Sequence, residues 1–179
     1  MGFANYYNRF IQSFARIAAP ISNLLSGTRE FVWGDAQQQA FELLKLKLTT
    51  APVLALPDFS KLFDVTTDAS VVAVGGELAQ GGRPVAFYSK KLTPAESRYH
   101  VTDRELMGVY LGCMKWRHYL HGNVCNVYTD HEPLIYIFVQ PHLNARQARW
   151  LERLSELNLK VHYVPGKDNV VADVLARYG

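Results

Sequence analysis

Short apolar stretches rich in β-branched and aromatic residues recur through the middle of the chain, each bounded by glycine or polar residues. They predict five strands, at about residues 62–67, 74–80, 84–88, 123–129 and 159–164. Longer stretches carry apolar residues three and four positions apart and predict helices, the longest over residues 97–120. After an initial helical part, the order is three strands, helix, strand, helices, strand and helix. This order predicts an α/β fold with a mixed sheet.

The beginning of the chain is predicted to be helical. Helical spacing over residues 5–26 is set by four apolar residues, Tyr6, Phe10, Phe14 and Ile17. Pro20 is expected to end this helix and to begin a second one over residues 21–25, because proline suits a first helical turn.

A third helix is expected after the short extended piece Phe31–Gly34, with Asp35 as its cap. Its inner face is predicted to carry Phe41, Leu43, Leu44 and Leu48. Pro57 marks a hinge before the first strand. We therefore expect a small helical segment over residues 1–57 and a second domain of different architecture over residues 58–179.

Composition and charge exclude few classes of function. The chain has 179 residues, 49% of them hydrophobic and 20% charged, which is typical of a globular protein. The formal net charge of +3 permits a nucleic-acid partner without demonstrating one. We expect no membrane partner, because no apolar run approaches the roughly 18 residues that span a bilayer. The two cysteines, Cys113 and Cys125, lack metal-type spacing and are predicted to be buried thiols.

Four carboxylates occupy positions that could form one site. Asp68 follows the first strand and Asp130 follows the fourth, so their side chains meet if these two strands are neighbours. Glu105 lies at the edge of the apolar face of the long helix. Asp173 falls in the first turn of the last predicted helix, after Asn169 as its cap.

Two of these positions also have a simpler interpretation. Asp68 could cap a turn through its own backbone, which is a common role of aspartate. Glu105 could extend past the core edge into solvent. Gly108 and Gly112 flank Glu105 on the same side, and glycine inside a helix costs about 1 kcal/mol relative to alanine. Two glycines there indicate that the helix lies tightly against the sheet, which favours an inward Glu105.

A cluster of four carboxylates has a defined chemistry. Such groups cannot share one site in the ionised state without a compensating cation. Oxygen-only ligands, with no histidine or cysteine, select Mg²⁺ or Mn²⁺. Two such ions about 3.5–4 Å apart support phosphodiester cleavage, since one activates water and the other stabilises the leaving oxygen.

Five motifs in order resemble those of a known family. They are Thr67-Asp68-Ala69-Ser70, Val85-Ala86-Phe87-Tyr88-Ser89-Lys90-Lys91-Leu92, Thr102-Asp103-Arg104-Glu105-Leu106, Tyr128-Thr129-Asp130-His131, and Val164 to Asp173. On these motifs the sequence resembles the ribonuclease H domain of a reverse transcriptase of the Ty3/gypsy class of LTR retrotransposons. The upstream run Asn5-Tyr6-Tyr7-Asn8-Arg9-Phe10-Ile11 resembles the end of the polymerase thumb of the same proteins, so the resemblance covers nearly the whole chain.

The resemblance implies a ribonuclease H-like five-stranded mixed sheet with flanking helices, preceded by a small helical segment. It implies a metal-dependent endonuclease that hydrolyses the RNA strand of an RNA–DNA hybrid during reverse transcription. Asp68, Glu105, Asp130 and Asp173 match the family's catalytic and metal-binding acids, which implies two Mg²⁺ ions, with Mn²⁺ as a substitute. The implied partners are the hybrid and the polymerase part of the same polyprotein, in a cytoplasmic particle or the nucleus.

The predicted helix over residues 144–157 offers candidate substrate contacts. Arg146, Arg149 and Arg153 lie three and four positions apart on it. They could follow the phosphates of a bound hybrid. The alternative is a solvated helix face.

Further candidates lie closer to the four acids. Tyr99 precedes the helix of Glu105, and His131 follows Asp130; both could touch the substrate, with ordinary packing as the alternative. Ser70 and Gln80 could donate hydrogen bonds to 2′-hydroxyl groups near Asp68.

The sequence departs from the family at two points. The loop Pro165-Gly166-Lys167-Asp168 lacks the histidine that retroviral and cellular relatives carry, and Glu132 stands where the family often has lysine. Both departures bear on the turnover rate more than on the reaction. The rival reading is a non-catalytic module, either connection-like or domesticated, that binds nucleic acid or acts as a scaffold. The presence of all four acids argues against that rival.

Overall fold

The computed structural model describes residues 8–25, 31–50 and 54–165 of the chain. A five-stranded mixed sheet lies at its centre, with the strand order β3-β2-β1-β4-β5. The strands are β1 (Phe63–Ala69), β2 (Ala73–Gln80), β3 (Arg83–Lys91), β4 (Val124–Thr129) and β5 (Asn158–Tyr163). The predicted ribonuclease H-like fold, with the first and fourth strands as neighbours, is confirmed.

Two tight turns and two crossovers account for this topology. β1 pairs antiparallel with β2, and β2 with β3. The second hairpin turns at Gly81 and Gly82, whose φ angles of 56° and 73° are the positive values that a two-residue hairpin loop needs. β4 pairs parallel with β1 and with β5, and such pairs need crossover connections, which here contain helices.

Six α-helices lie within the described residues. They are α1 (Phe14–Asn23), α2 (Asp35–Thr49), α3 (Val101–Lys115), α4 (Arg117–Leu120), α5 (Pro133–Ile137) and α6 (Ala145–Leu154), with short 3₁₀ turns at Asn8–Phe10 and Glu96–Arg98. None of the helices in these parts of the chain is long and apolar enough to cross a membrane. The last predicted helix, with Asn169 and Asp173, lies outside the described residues.

The main core lies between the sheet and α3. Phe63 and Val65 of β1 and Leu106 of α3 are completely buried there. Removing a side chain such as that of Leu106 from a core costs about 2–5 kcal/mol. The predicted contact of this helix face with the sheet is confirmed, because a Cβ at Gly108 would lie 3.8 Å from the Cβ of Thr67, an ordinary contact distance at which alanine also fits. This core fixes α3 against β1.

The helical segment packs through α1 on the other face of β2 and β3. The Ala15 backbone N–H donates to Ser89 Oγ of β3 at 2.8 Å. α2 in turn packs on α1 through a small apolar cluster that includes Phe14 and Leu44. The boundary predicted at residue 57 stays a prediction, although α1 and the sheet are in direct contact.

Four predicted details of the helices are wrong. The N-cap of α2 is Gly34, and Asp35, which was predicted to be the cap, is the first residue of the helix. α1 runs through Pro20 instead of ending there, because Ile17 and Ile21 on either side of it pack against the cluster shared with α2. Phe41 is 43% exposed rather than inward, and its ring packs against Trp33 instead. The long helix begins at Val101 and ends at Lys115, before the separate short helix α4.

Candidate active site

Asp68 lies near the carboxyl end of β1, as the penultimate residue of the strand. Its backbone pairs with Gly75 of β2, and directly paired residues of antiparallel strands point to the same face of the sheet. Burial raises the pKa of Asp68 above its ordinary value of 3.8. The charge of Arg16 on α1 opposes this rise, and the charge of Asp130 adds to it.

Glu105 is the most perturbed carboxylate of the site. It lies in the second turn of α3 and is only 6% exposed. Burial, then the charges of Asp130 and Asp68, raise its pKa from 4.5 to about 8. Arg104 and the backbone N–H of Ala69 oppose that rise without cancelling it. Its Oε2 atom is buried and has no hydrogen-bond partner, so Glu105 is held in a place that disfavours its own charge.

Asp130 directly follows β4, the strand that runs parallel to β1. It is exposed, so solvent and substrate can reach it. The next residue, His131, places its Nε2 atom 2.9 Å from Thr102 Oγ1 of α3, and its backbone N–H donates to Thr129 Oγ1 at 3.1 Å. This link connects the end of β4 to the helix that carries Glu105. Burial lowers the pKa of His131, while Asp130 opposes that shift.

Three of the four predicted acids therefore lie within electrostatic reach of one another. Asp68 and Asp130 each raise the pKa of Glu105, and Asp130 raises that of Asp68. Within residues 8–25, 31–50 and 54–165, no three His, Cys, Asp or Glu side chains are close enough to enclose a metal ion. The unpartnered Oε2 of Glu105 and the mutual repulsion nevertheless fit a divalent cation, which would satisfy both. Asp173, the fourth acid, lies outside the described residues.

Two predicted substrate contacts have structural roles instead. Gln80 lies at the opposite end of β2 from Gly75, so the expectation that it lies near Asp68 is wrong. Its buried side chain accepts from the Asp58 backbone N–H and donates to the Asp58 carbonyl, both at 2.8 Å. Ser70 does lie near Asp68, but its hydroxyl accepts from the backbone of Val72 and Ala73 and so closes the turn between β1 and β2.

The three arginines of α6 separate into two groups. The guanidinium carbon of Arg146 lies 3.6 Å from the centre of the Tyr99 ring, and its Nη1 lies 3.5 Å from Asp103 Oδ2 of α3. Arg146 and Tyr99 therefore hold α6 against α3. Arg149 and Arg153 are exposed, with Arg153 only loosely paired to Glu156 at 3.4 Å. These two remain candidate phosphate contacts.

Two interactions near the site were not predicted from the sequence. Arg16 acts electrostatically on Asp68, and no local pattern connects a helix near the start of the chain with a strand far along it. Asp103 is buried and accepts from Gln147 Nε2 at 2.8 Å. Helical spacing could have indicated that residue, since Asp103 lies on the side of α3 that α6 covers.

Comparison with known proteins agrees with this geometry. Residues 58–157 match the model of the RNase H-like domain found in reverse transcriptase. The chain belongs to this family. Its RNase H-like domain contains Asp68, Glu105 and Asp130, and the match covers β1 to β4 and ends immediately before β5.

Relatives of this RNase H-like chain are retrotransposon polyproteins. It is 38% identical over 190 residues to the retrovirus-related Pol polyprotein from transposon gypsy of Drosophila melanogaster, covering 99% of this chain and 18% of the relative. It is 37% identical over 187 residues to the transposon Tf2-3 polyprotein of Schizosaccharomyces pombe, covering 99% of this chain and 14% of the relative. The chain thus spans less than a fifth of the length of these relatives.

Solved structures resemble the RNase H-like chain in fold. The foamy viral protease-reverse transcriptase in complex with RNA/DNA hybrid matches with a TM-score of 0.75 at 22% identity, covering 94% of this chain and 25% of that one. RNase H1 from the halophilic archaeon Halobacterium salinarum matches with a TM-score of 0.51 at 16% identity, covering 64% of this chain and 93% of that one. At these identities the likeness concerns the fold alone.

Proposed function

We propose that this RNase H-like chain is a metal-dependent endonuclease that hydrolyses the RNA strand of RNA–DNA hybrids during reverse transcription of a retrotransposon. The observation that carries the proposal is the state of Glu105. A buried carboxylate with an unpartnered oxygen, beside two further carboxylates, is costly for a fold. Such perturbed groups concentrate at functional sites, where a ligand compensates them.

The donor set suits Mg²⁺, with Mn²⁺ as a substitute, because it consists of carboxylate oxygens. Asp68, Glu105 and Asp130 would hold the ions, and the family resemblance adds Asp173. When bound, a pair of such ions supplies an activated water and stabilises the leaving oxygen of a phosphodiester.

The surrounding residues favour the ionised form of Glu105 and hold the carboxylates in position for binding a cation. The positive charge of Arg104 and the backbone N–H of Ala69 favour the ionised form of Glu105, which is the form that can bind a cation. Asp68 is paired with Gly75 of β2, and the pairing of β1 with β4 extends to Thr66, so the strand that leads to Asp68 is fixed on both sides. The contact between His131 and Thr102 keeps the end of β4, and with it Asp130, against α3.

Several features support a hybrid duplex as the substrate. Asp130 is exposed, which leaves the site open to a long polymer. The exposed Arg149 and Arg153 lie on α6, which packs on the helix that carries Glu105. Phosphate and 2′-hydroxyl contacts dominate the recognition of duplexes that contain RNA. We propose the polymerase part of the same polyprotein as the second partner, in a cytoplasmic particle or the nucleus.

A cleavage assay tests this proposal. The full chain is incubated with a hybrid labelled separately on its RNA and DNA strands, in Mg²⁺, in Mn²⁺ and in chelator, with a DNA duplex of the same sequence as control. We expect cleavage of the RNA strand alone, and only with metal. Binding of the hybrid without any cleavage would contradict the proposal and support the non-catalytic module instead.

A further inference from the structure

A row of directly paired residues on β1, β2 and β3 connects the candidate active site with the helical segment. Asp68 of β1 pairs with Gly75 of β2, and Gly75 pairs with Ser89 of β3. These three residues lie side by side across the sheet, and their Cα–Cβ directions share one face. That face is the one on which α1 packs.

The start of α1 lies directly over this row of paired residues. A Cβ at Gly75 would be 3.6 Å from Ser13 Oγ, just before α1 begins. The Ala15 backbone N–H, which has no partner inside the helix, donates to Ser89 Oγ at 2.8 Å. Two contacts therefore fix the first turn of α1 over Gly75 and Ser89, next to Asp68.

The position of Arg16 follows from this placement of α1. Arg16 lies in the first turn of α1, which these two contacts hold over Gly75 and Ser89. The charge of Arg16 reaches Asp68, where it opposes the effect of burial. Among the described residues, the side chain of Arg16 forms no hydrogen bond and no ion pair within 4.0 Å, whereas its backbone N–H donates to the Ser13 carbonyl.

The neighbouring groups leave this guanidinium free for a ligand. Glu77 of β2 also faces α1, but it accepts a hydrogen bond from Gln12 Nε2 at 3.4 Å. Asp68 belongs to the carboxylate group that a cation would compensate. A half-buried arginine is suited to phosphate, because its planar guanidinium binds two phosphate oxygens at once.

We propose that Arg16 binds a backbone phosphate of the hybrid beside Asp68, so that α1 and the sheet form one continuous substrate surface. The inference rests on the proposed hybrid substrate. It assigns a substrate-binding role to the segment before residue 58, outside the residues that match the RNase H-like domain.

The test measures hybrid affinity in Ca²⁺, which replaces Mg²⁺ so that binding is recorded without turnover. The full chain is compared with Arg16→Gln, Arg16→Lys and the control Lys45→Gln. Lys45 lies on α2 and is 58% exposed, and its ammonium pairs with Glu42 and lies 5.4 Å from the centre of the Phe41 ring. Its replacement therefore removes an equal charge away from the sheet. Affinity is recorded across a salt series, and cleavage in Mg²⁺ is measured separately.

We expect Arg16→Gln to lower the slope of log affinity against log salt by nearly one unit, as for one lost phosphate contact. Lys45→Gln should leave the slope unchanged. In cleavage, Arg16→Gln should raise KM more than it lowers kcat. Arg16→Lys should keep the salt slope but bind the hybrid more weakly, because an ammonium cannot make a bidentate contact with two phosphate oxygens.

Other outcomes overturn the inference. An unchanged slope for Arg16→Gln, with kcat reduced, would mean that Arg16 acts through Asp68 and not on the substrate. If Arg16→Gln melts at a lower temperature than wild type, its weaker binding could come from lost stability, and Arg16→Lys becomes the deciding variant. Wild-type hybrid affinity of Arg16→Lys would then contradict the proposed contact between Arg16 and a phosphate. Wild-type binding without cleavage refutes the nuclease while the slopes still test Arg16, and absence of hybrid binding refutes both.

Discussion

Gly108 of α3 lies directly over Thr67 of β1, so that a Cβ at Gly108 would stand 3.8 Å from the Thr67 Cβ. This approach brings the helix to the end of β1. Glu105, one turn earlier, then meets the backbone of Ala69 next to Asp68. The close packing of α3 therefore sets the position of the buried carboxylate.

Two glycine variants test how tight that packing is. Gly108→Ala adds a methyl group at ordinary contact distance and gains about 1 kcal/mol of helix propensity, so we expect equal or greater stability. Gly76→Ala places a Cβ 3.2 Å from the Thr66 carbonyl oxygen and 3.3 Å from the Trp116 ring. We expect it to lose about 1–3 kcal/mol. Urea unfolding of both variants measures this, and equal losses would contradict the described contact of α3 with β1.

Replacing the strand-end acids tests the assignment of the site. Asp68→Asn and Asp130→Asn keep the shape of each side chain but remove a charge that a cation needs. We expect both variants to lose cleavage of the hybrid, while their affinity for it in Ca²⁺ changes by less than about threefold. Gel assays of cleavage and fluorescence titrations of binding measure the two quantities. Cleavage by either variant at near the wild-type rate would remove that residue from the site.

The placement of these two acids was predictable from sequence because it follows from strand order. Asp68 and Asp130 end two short apolar strands, and parallel neighbours bring such ends together. The partners of long polar side chains were not predictable in this way. Helical spacing made Arg146 a candidate phosphate contact, with a solvated helix face as the alternative, but its partners Tyr99 and Asp103 lie on elements far away in sequence. Gln80 was misplaced because alternation along a strand does not indicate at which end of the sheet a residue lies.

The arginines of α6 should differ in what their replacement changes. Arg146→Gln removes the stacking on Tyr99 and the pairing with Asp103, so we expect a loss of about 1–2 kcal/mol in the free energy of unfolding. Arg149→Gln and Arg153→Gln should stay within about 0.5 kcal/mol of wild type. Each should instead lower the salt slope of hybrid affinity by nearly one unit. An unchanged salt slope in both variants would mean that this face of α6 contacts solvent and not the hybrid.

The metal-free protein should lose stability as the pH rises. The pKa of Glu105 is about 8 in the fold and 4.5 ordinarily, so over that interval the folded protein keeps a proton that the unfolded chain has released. The free energy of unfolding in chelator should therefore fall between about pH 5 and pH 8. Mg²⁺ should restore about 2.7 kcal/mol at a hundredfold excess over its dissociation constant.

Glu105→Gln is the matched variant for this measurement, because it removes the titrating group and keeps the side-chain size. Its free energy of unfolding should depend less on pH, and it should be more stable than wild type in chelator at pH 8. Its response to Mg²⁺ should be reduced. Parallel pH curves for the two proteins, with equal responses to Mg²⁺, would mean that Glu105 is not part of a cation site.

The central claim is that Glu105 and its neighbouring acids form a hydrolytic site, and one comparison of RNA-strand cleavage in Mg²⁺ tests it most directly. Glu105→Gln is compared with the control Asp103→Asn. Asp103 is a buried acid on the same helix, but its side chain faces Gln147 of α6 instead of the site. We predict that wild type and Asp103→Asn cleave the RNA strand of the hybrid at similar rates, while Glu105→Gln falls to the rate seen in chelator. Cleavage by Glu105→Gln at the wild-type rate would contradict the account.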